Sequence, residues 1–229
     1  MIAVLGDIHG NLWALEAVLA ELDRRGPRQV IVAGDLAFGG PRPAECVALI
    51  QRRGYPTIRG NTDEWLRTAP PHVHDAVSWT SAQLNDEHRR FLAGLPLQWR
   101  VSQSPGDLVV VHATPWSIGE VVAPDAPLAV VERVFVEAKA AAVAYGHIHI
   151  AYVRDLGEHL LVNAGSVGLP ADGDPRASFV ELEVRHGKWV ATLQRISYDL
   201  GAALAAARAS ENPEADRWAR RLAAASSAP

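Results

Sequence analysis

The sequence predicts an α/β protein. A largely parallel sheet, covered by helices on both faces, is followed by antiparallel strands and a helical tail. Three observations predict it. Short apolar runs alternate with amphipathic helical stretches as far as residue 145. Two strand pairs with tight turns then lie between residues 151 and 196. After these, an alanine-rich stretch carries apolar residues at helical spacing.

In chain order, "IAVLG" is a short buried strand. "NLWALEAVLAELDRRG" is an amphipathic helix with Leu12, Leu15, Val18, Leu19 and Leu22 on one face, Asn11 as its cap and Gly26-Pro27 as its stop. "VIVAG" is a second strand, and Pro43 opens a helix that turns Val47 and Ile50 inward. "YPTIRG" reads as a third, shorter strand. Residues 64 to 94 read as helices and loops, with Asn85 a cap. "DLVVVH" and "AAVAYG" are buried strands joined by the helix "PLAVVERVFVEA". The pairs "AYVRDL"/"HLLVN" and "SFVELEV"/"KWVATLQRI" read as hairpins that build a second, antiparallel sheet. Pro213 divides the helical tail. Its Leu200, Leu204, Trp218 and Leu222 suit docking on the body or on another copy of the chain, as in a homo-oligomer, and the terminal "AAASSAP" is expected to fray. The expected organisation is a domain over residues 1–198 with a structural extension over 199–229.

With 229 residues, the chain is long enough for one sizeable core. A net charge of −4 gives no basic surface for nucleic acid, and no apolar stretch reaches membrane-spanning length. Asp7 breaks the first apolar run too early for a signal peptide. The single cysteine, Cys46, falls in a helical run as a small core residue, which fits a reducing, cytoplasmic compartment.

The chemistry lies at the strand ends. Asp7, Asp35, Asn61, His112 and His147 each stand directly after an apolar or glycine-ended run. Ligands of open α/β sheets bind outside the carboxyl ends of the strands, so these five groups should converge. His9 and His149 repeat the pattern two residues on, and in an extended backbone positions i and i+2 face the same way. Gly6, Gly34, Gly60 and Gly146 precede four of the five and supply the freedom for sharp turns. Two Asp, one Asn and four His suit two divalent ions sharing a carboxylate. The mixed oxygen and nitrogen set favours Mn, Fe, Co, Ni or Zn over calcium or magnesium. His72 and His74, in the Pro-rich "APPHVHD", are expected at the pocket rim. His88, His159 and His186 read as surface residues.

Taken together, "GDIHGN", "GDLAFGG", "GNTD", "VHATP" and "GHIH" resemble the five ordered motifs of the calcineurin-like metallophosphoesterases, over roughly residues 1 to 168. The short length resembles the compact prokaryotic phosphodiesterase branch. The resemblance implies a two-sheet β-sandwich of mixed strands flanked by helices, with two metal ions, manganese being the first expectation. It implies that Asp7, His9 and His149 hold one ion, that Asn61, His112 and His147 hold the other, and that Asp35 bridges them. A hydroxide between the ions would attack phosphorus, and Asn11, at a helix start, would help hold the phosphate. Many family members carry a leaving-group acid, His, two residues after the motif Asn; this chain has Asp63. An ionised aspartate donates no proton, so the sequence leans to small phosphodiesters or activated phosphoesters, with Asp63 setting the preference. The alternatives are a phosphomonoesterase or nucleotide phosphatase, and a non-catalytic protein-interaction scaffold of the same fold, like the retromer subunit. An amidohydrolase barrel fits poorly, because "GHIH" comes late and hairpins replace βα units.

Overall fold

The computed structural model describes residues 1–226. Two sheets stack face to face, with helices on both outer faces. The first sheet has four strands: β1 (Ile2–Leu5) lies between β2 (Gln29–Val32), parallel to it, and β8 (Ala177–Arg185), antiparallel, with β9 (Lys188–Ile196) at the far edge. The second has five, in the order β3 (Gln98–Val101), β4 (Leu108–Val111), β5 (Ala142–Tyr145), β7 (Leu160–Asn163), β6 (Tyr152–Asp155). Only β4–β5 and β5–β7 are parallel pairs.

The mixed-strand sandwich expected from the resemblance is therefore present, while the single parallel sheet and separate antiparallel sheet read from periodicity are not. Both hairpins exist, but each joins a different sheet beside a parallel pair. Strand signals are local, whereas partner choice is fixed by which faces must be buried together. Two further differences appear. "YPTIRG" forms only one bridge, Val32 with Thr57, and β3 is an edge strand with alternating exposure that periodicity did not single out.

Alternation divides the core. Ile2 and Val4 of β1 pack between the sheets with Ile31, Leu108, Val110, Ala142, Ala144, Leu160 and Val162. Ala3 and Leu5 face the other way, onto α1 (Leu12–Arg25) and α2 (Pro43–Arg53). Val109, Val111 and Val143 face α6 (Leu128–Ala138). Each fully buried Val, Leu or Ile contributes roughly 1.5–3 kcal/mol. Along the chain from α2 to β3 come α3 (Asn61–Thr68), a 3₁₀ turn at Pro71–Val73, α4 (His74–Gln83) and α5 (Asp86–Ala93), the last capped by Asn85 as expected. Cys46 is buried in the core, and His186 lies in the tight β8–β9 turn.

The tail forms α7 (Leu200–Ala209) and α8 (Ala215–Ala224). They enclose a small core of Leu169, Ala203, Ala207, Trp218, Ala219 and Leu222 against Trp13 and Tyr198. The expected fraying is corrected as far as Ser226: Ala225 is buried, its carbonyl accepts from the Gly173 N–H, and Ser226 bridges to Asp172. The remainder, 227–229, lies outside the described residues. No helix among the described residues is long and apolar enough to cross a membrane.

Candidate metal centre

The ends of β1, β2, β4 and β5 and the first residue of α3 meet at one edge of the sandwich. The seven groups read from the sequence converge there. His9 Nε2 lies 3.1 Å from His149 Nε2, and His149 Nε2 lies 3.3 Å from Asp7 Oδ1. Asp35 Oδ2 lies 3.6 Å from both His9 Nε2 and His112 Nε2, midway between the two halves. Asn61 Oδ1 meets His112 Nε2 at 2.8 Å and His147 Nδ1 at 2.9 Å. Two three-residue groups have ligand atoms all within 4.8 Å of one another: Asp7, His9, His149, and Asp7, Asp35, His112.

The local backbone departs from the expected extended form. Asp7, His9, Asp35, His147 and His149 have φ of 54°, 47°, 57°, 67° and 60°. Left-handed backbone at five non-glycine residues is costly, and such strain concentrates at functional sites. Thus i and i+2 do face one cluster, through turns rather than a strand. The preceding glycines serve mostly another purpose than conformational freedom. Only Gly34 has a positive φ; a Cβ on Gly60 would stand 2.0 Å from Asp35 Oδ1, and one on Gly146 would stand 2.2 Å from Asp7 Oδ2.

Outer partners fix each ring. His9 Nδ1 faces the Phe38 carbonyl at 2.9 Å, His112 Nδ1 the Ala33 carbonyl at 2.7 Å, and His149 Nδ1 the Leu169 carbonyl at 2.6 Å. Those nitrogens donate, so Nε2 of a neutral ring carries a lone pair toward the centre. His147 is reversed: Nε2 faces the Gly119 carbonyl at 3.1 Å and Nδ1 points inward. Asp7 Oδ2 accepts from the His147 N–H, and Ser166 donates to the Asp7 carbonyl, so "NAGSVG" braces the first motif.

These residues fit a cation. The lone pairs of His9 and His149 face each other, and the buried Asp7 Oδ1 beside them has no hydrogen-bond donor. His112 and His147 have oxygen acceptors at both ring nitrogens, yet a neutral imidazole has one N–H. A positive ion in each half satisfies all of these groups. Burial, with His149 adding to it, holds the His9 imidazole down at about 4. Burial raises the Asp7 carboxyl, but His149, His112 and His9 more than reverse this, to about 2. Lone-pair-bearing nitrogens beside an ionised carboxylate are the state that ligation requires.

The non-ligand assignments fare differently. Asp63 does not face the site. It is buried and accepts N–H donors from Asp35 at 2.8 Å, Gly60 at 2.9 Å and Leu36 at 3.1 Å, tying the Asp35 loop to α3. Burial and the Asp35 carboxylate push it up to about 7 against these donors. Asn11 is likewise buried and occupied. Its Oδ1 caps Ala14 and its Nδ2 donates to the Gly168 carbonyl at 2.9 Å, so it braces the first loop and does not line the cavity. His74 is exposed beside Asp75 and away from the cavity. His72 does reach the cavity, edge-on to Trp65 with ring centroids 5.7 Å apart.

That cavity, of about 300 Å³, opens over His9, Asp35, Asn61, His147 and His149, with Asp7 and His112 beneath. Its walls include Phe38, Trp65 and His72, together with Arg217, Trp218 and Arg221 of α8 and its N-cap Glu214. The α8 residues are the ones that sequence reasoning missed. The tail docks on the body as expected of a structural extension, and one face of α8 is also cavity wall. Its i, i+3, i+4, i+7 spacing, over 214, 217, 218 and 221, was the available signal.

A model of the calcineurin-like phosphoesterase superfamily domain matches residues 1–187. The chain is 32% identical over 223 residues to the uncharacterised protein MJ0912 of Methanocaldococcus jannaschii, covering 87% of this chain and 88% of that one. It is 25% identical over 179 residues to the phosphodiesterase YfcE of Escherichia coli K12, covering 74% and 80%. Among solved structures, a metallophosphoesterase from Sphaerobacter thermophilus superposes with a TM-score of 0.79 at 29% identity, covering 98% of both chains.

Proposed function

The chain belongs to the calcineurin-like phosphoesterase superfamily, and on that premise we propose that it is a dinuclear metal-dependent phosphodiesterase of the cytoplasm. One observation carries the reading: Asp35 Oδ2 stands 3.6 Å from an inward nitrogen in each half of the ligand cluster. Asp7, His9 and His149 would hold one ion and Asn61, His112 and His147 the other, with Asp35 serving both. Manganese is the first candidate, with Fe, Zn, Co and Ni compatible with the donors. Divalent ions bound there would supply Lewis acidity to water and to the phosphoryl oxygens.

The protein's own part is positioning. Carbonyls of Phe38, Ala33 and Leu169 hold three imidazoles in one tautomer. The Thr62 N–H fixes Asp35 Oδ1 at 2.9 Å, leaving Oδ2 for the centre. Trp65 and Phe38, edge to face at 5.4 Å, give the cavity an apolar wall. With Asp63 turned into the loop, His72 is the one imidazole outside the ligand set on the cavity wall among the described residues, and it protonates the departing oxygen. The resemblance to a phosphodiesterase supports diesters over alkyl monoesters.

The test is the full chain supplied with Mn²⁺, assayed on bis-p-nitrophenyl phosphate and p-nitrophenyl phosphate, with metal measured by elemental analysis. Two ions per chain and the higher kcat/KM on the diester are expected. One ion per chain overturns the dinuclear assignment, and a monoester preference overturns the substrate class.

A further inference from the structure

The C-terminal helix brings cationic residues to a cavity that already has the ligand set for cations at its floor. Arg217 and Arg221 are one turn apart on the same face of α8, and both line the cavity. Glu214 is the one carboxylate they share. It pairs with Arg217 at 3.2 Å and its charge also acts on Arg221, which makes no ion pair among the described residues. The Arg221 Nε is buried with no hydrogen-bond partner, as is Nε1 of the neighbouring Trp218, which is 3% exposed. Burial and the charge of Arg217 depress the Arg221 guanidinium. Placing two like charges four residues apart, and half-burying one with its Nε unbonded, costs stability. An anion in the cavity would relieve both costs.

On the phosphodiesterase reading the scissile phosphate would sit over Asp35 and the imidazoles, so the anion at the arginines would be a second one. We propose that Arg217 and Arg221 form a second-anion subsite, which selects phosphodiesters carrying a further phosphate away from the bond that is cleaved. The proposal rests on the phosphodiesterase reading of this cavity. Guanidinium groups suit the task, since they present paired N–H donors to phosphate oxygens. The aromatic wall of Trp65, Phe38 and His72 takes the uncharged body between the two phosphates.

The experiment uses the metal-loaded full chain and two matched probes, thymidine 5′-monophosphate and thymidine 3′,5′-bisphosphate, titrated by calorimetry. Their 5′-p-nitrophenyl esters serve for kinetics. The wild type should bind the bisphosphate at least about tenfold tighter, and its kcat/KM ratio for the two esters should follow. R217Q/R221Q should lose most of that preference in both measurements, and R217K/R221K should keep most of it. Equal binding of both probes by the wild type overturns the subsite, as does a preference that survives the glutamine pair. If the glutamine pair fails to fold, R217Q alone, at a position more than half exposed, is read by the same titration. A binding preference without turnover of either ester would leave the subsite standing and remove the phosphodiesterase reading.

Discussion

The floor and the α8 wall of the cavity are built by opposite ends of the chain and on opposite principles. The floor is tightly held: its candidate ligands are mostly buried, five of them are held in left-handed backbone, and each imidazole has a carbonyl behind it. The wall is one face of a single helix, docked through Trp218, Ala219 and Leu222, whose arginines are half-buried or exposed and sparsely paired. Strain and outer-shell bracing are spent where reacting atoms must be placed to a fraction of an ångström. The wall tolerates looser geometry because a charge interaction falls off slowly with distance. The floor should therefore govern whether the reaction occurs, and the wall which ester is used.

The largest expected effect tests the floor. Asp35→Ala should deplete both metal positions and cost activity well beyond the roughly 10–100-fold seen for outer-shell partners. Elemental analysis showing full occupancy would remove Asp35 from its place between the halves. Next comes Asp63, where the floor is braced rather than built. Asp63→Ala leaves three buried N–H groups without their acceptor, and should lower stability by about 3 kcal/mol in chemical denaturation. Asp63→His should be destabilised likewise, rather than gain monoesterase activity. A stable Asp63→His protein with raised monoesterase would put residue 63 back in the cavity. The smallest effects separate two histidines at the other rim. His72→Ala should slow alkyl esters more than aryl esters, while His74→Ala should match the wild type within about 0.5 kcal/mol in stability and change neither rate. Equal losses for both variants would erase the distinction between lining and exposed positions.

Residue type and position made the floor legible in the sequence. Asp, Asn or His directly after apolar runs marked the ligands, because strand ends of α/β sheets are where side chains can converge. Leu15, Val18, Leu19 and Leu22 made α1 legible by period, and Asn11 and Gly26 marked its ends. Asp63 and Asn11 depart from the sequence expectation for a shared reason. A polar side chain in a site motif can point at substrate or at backbone amides, and their burial inside the loops decided for the amides.

By itself, the sequence determined most of the strands and helices and the seven candidate ligand types, since these rest on local periodicity and on the chemistry of individual side chains. Tertiary structure alone decided that the two hairpins join different sheets, that the ligands adopt left-handed backbone, and that α8 closes the cavity with Arg217 and Arg221. Each of these depends on contacts between residues far apart in the chain. Arg221 lies in sequence more than 200 residues from His9, and only the packing of Trp218 and Leu222 into the Leu169 cluster brings both to one cavity.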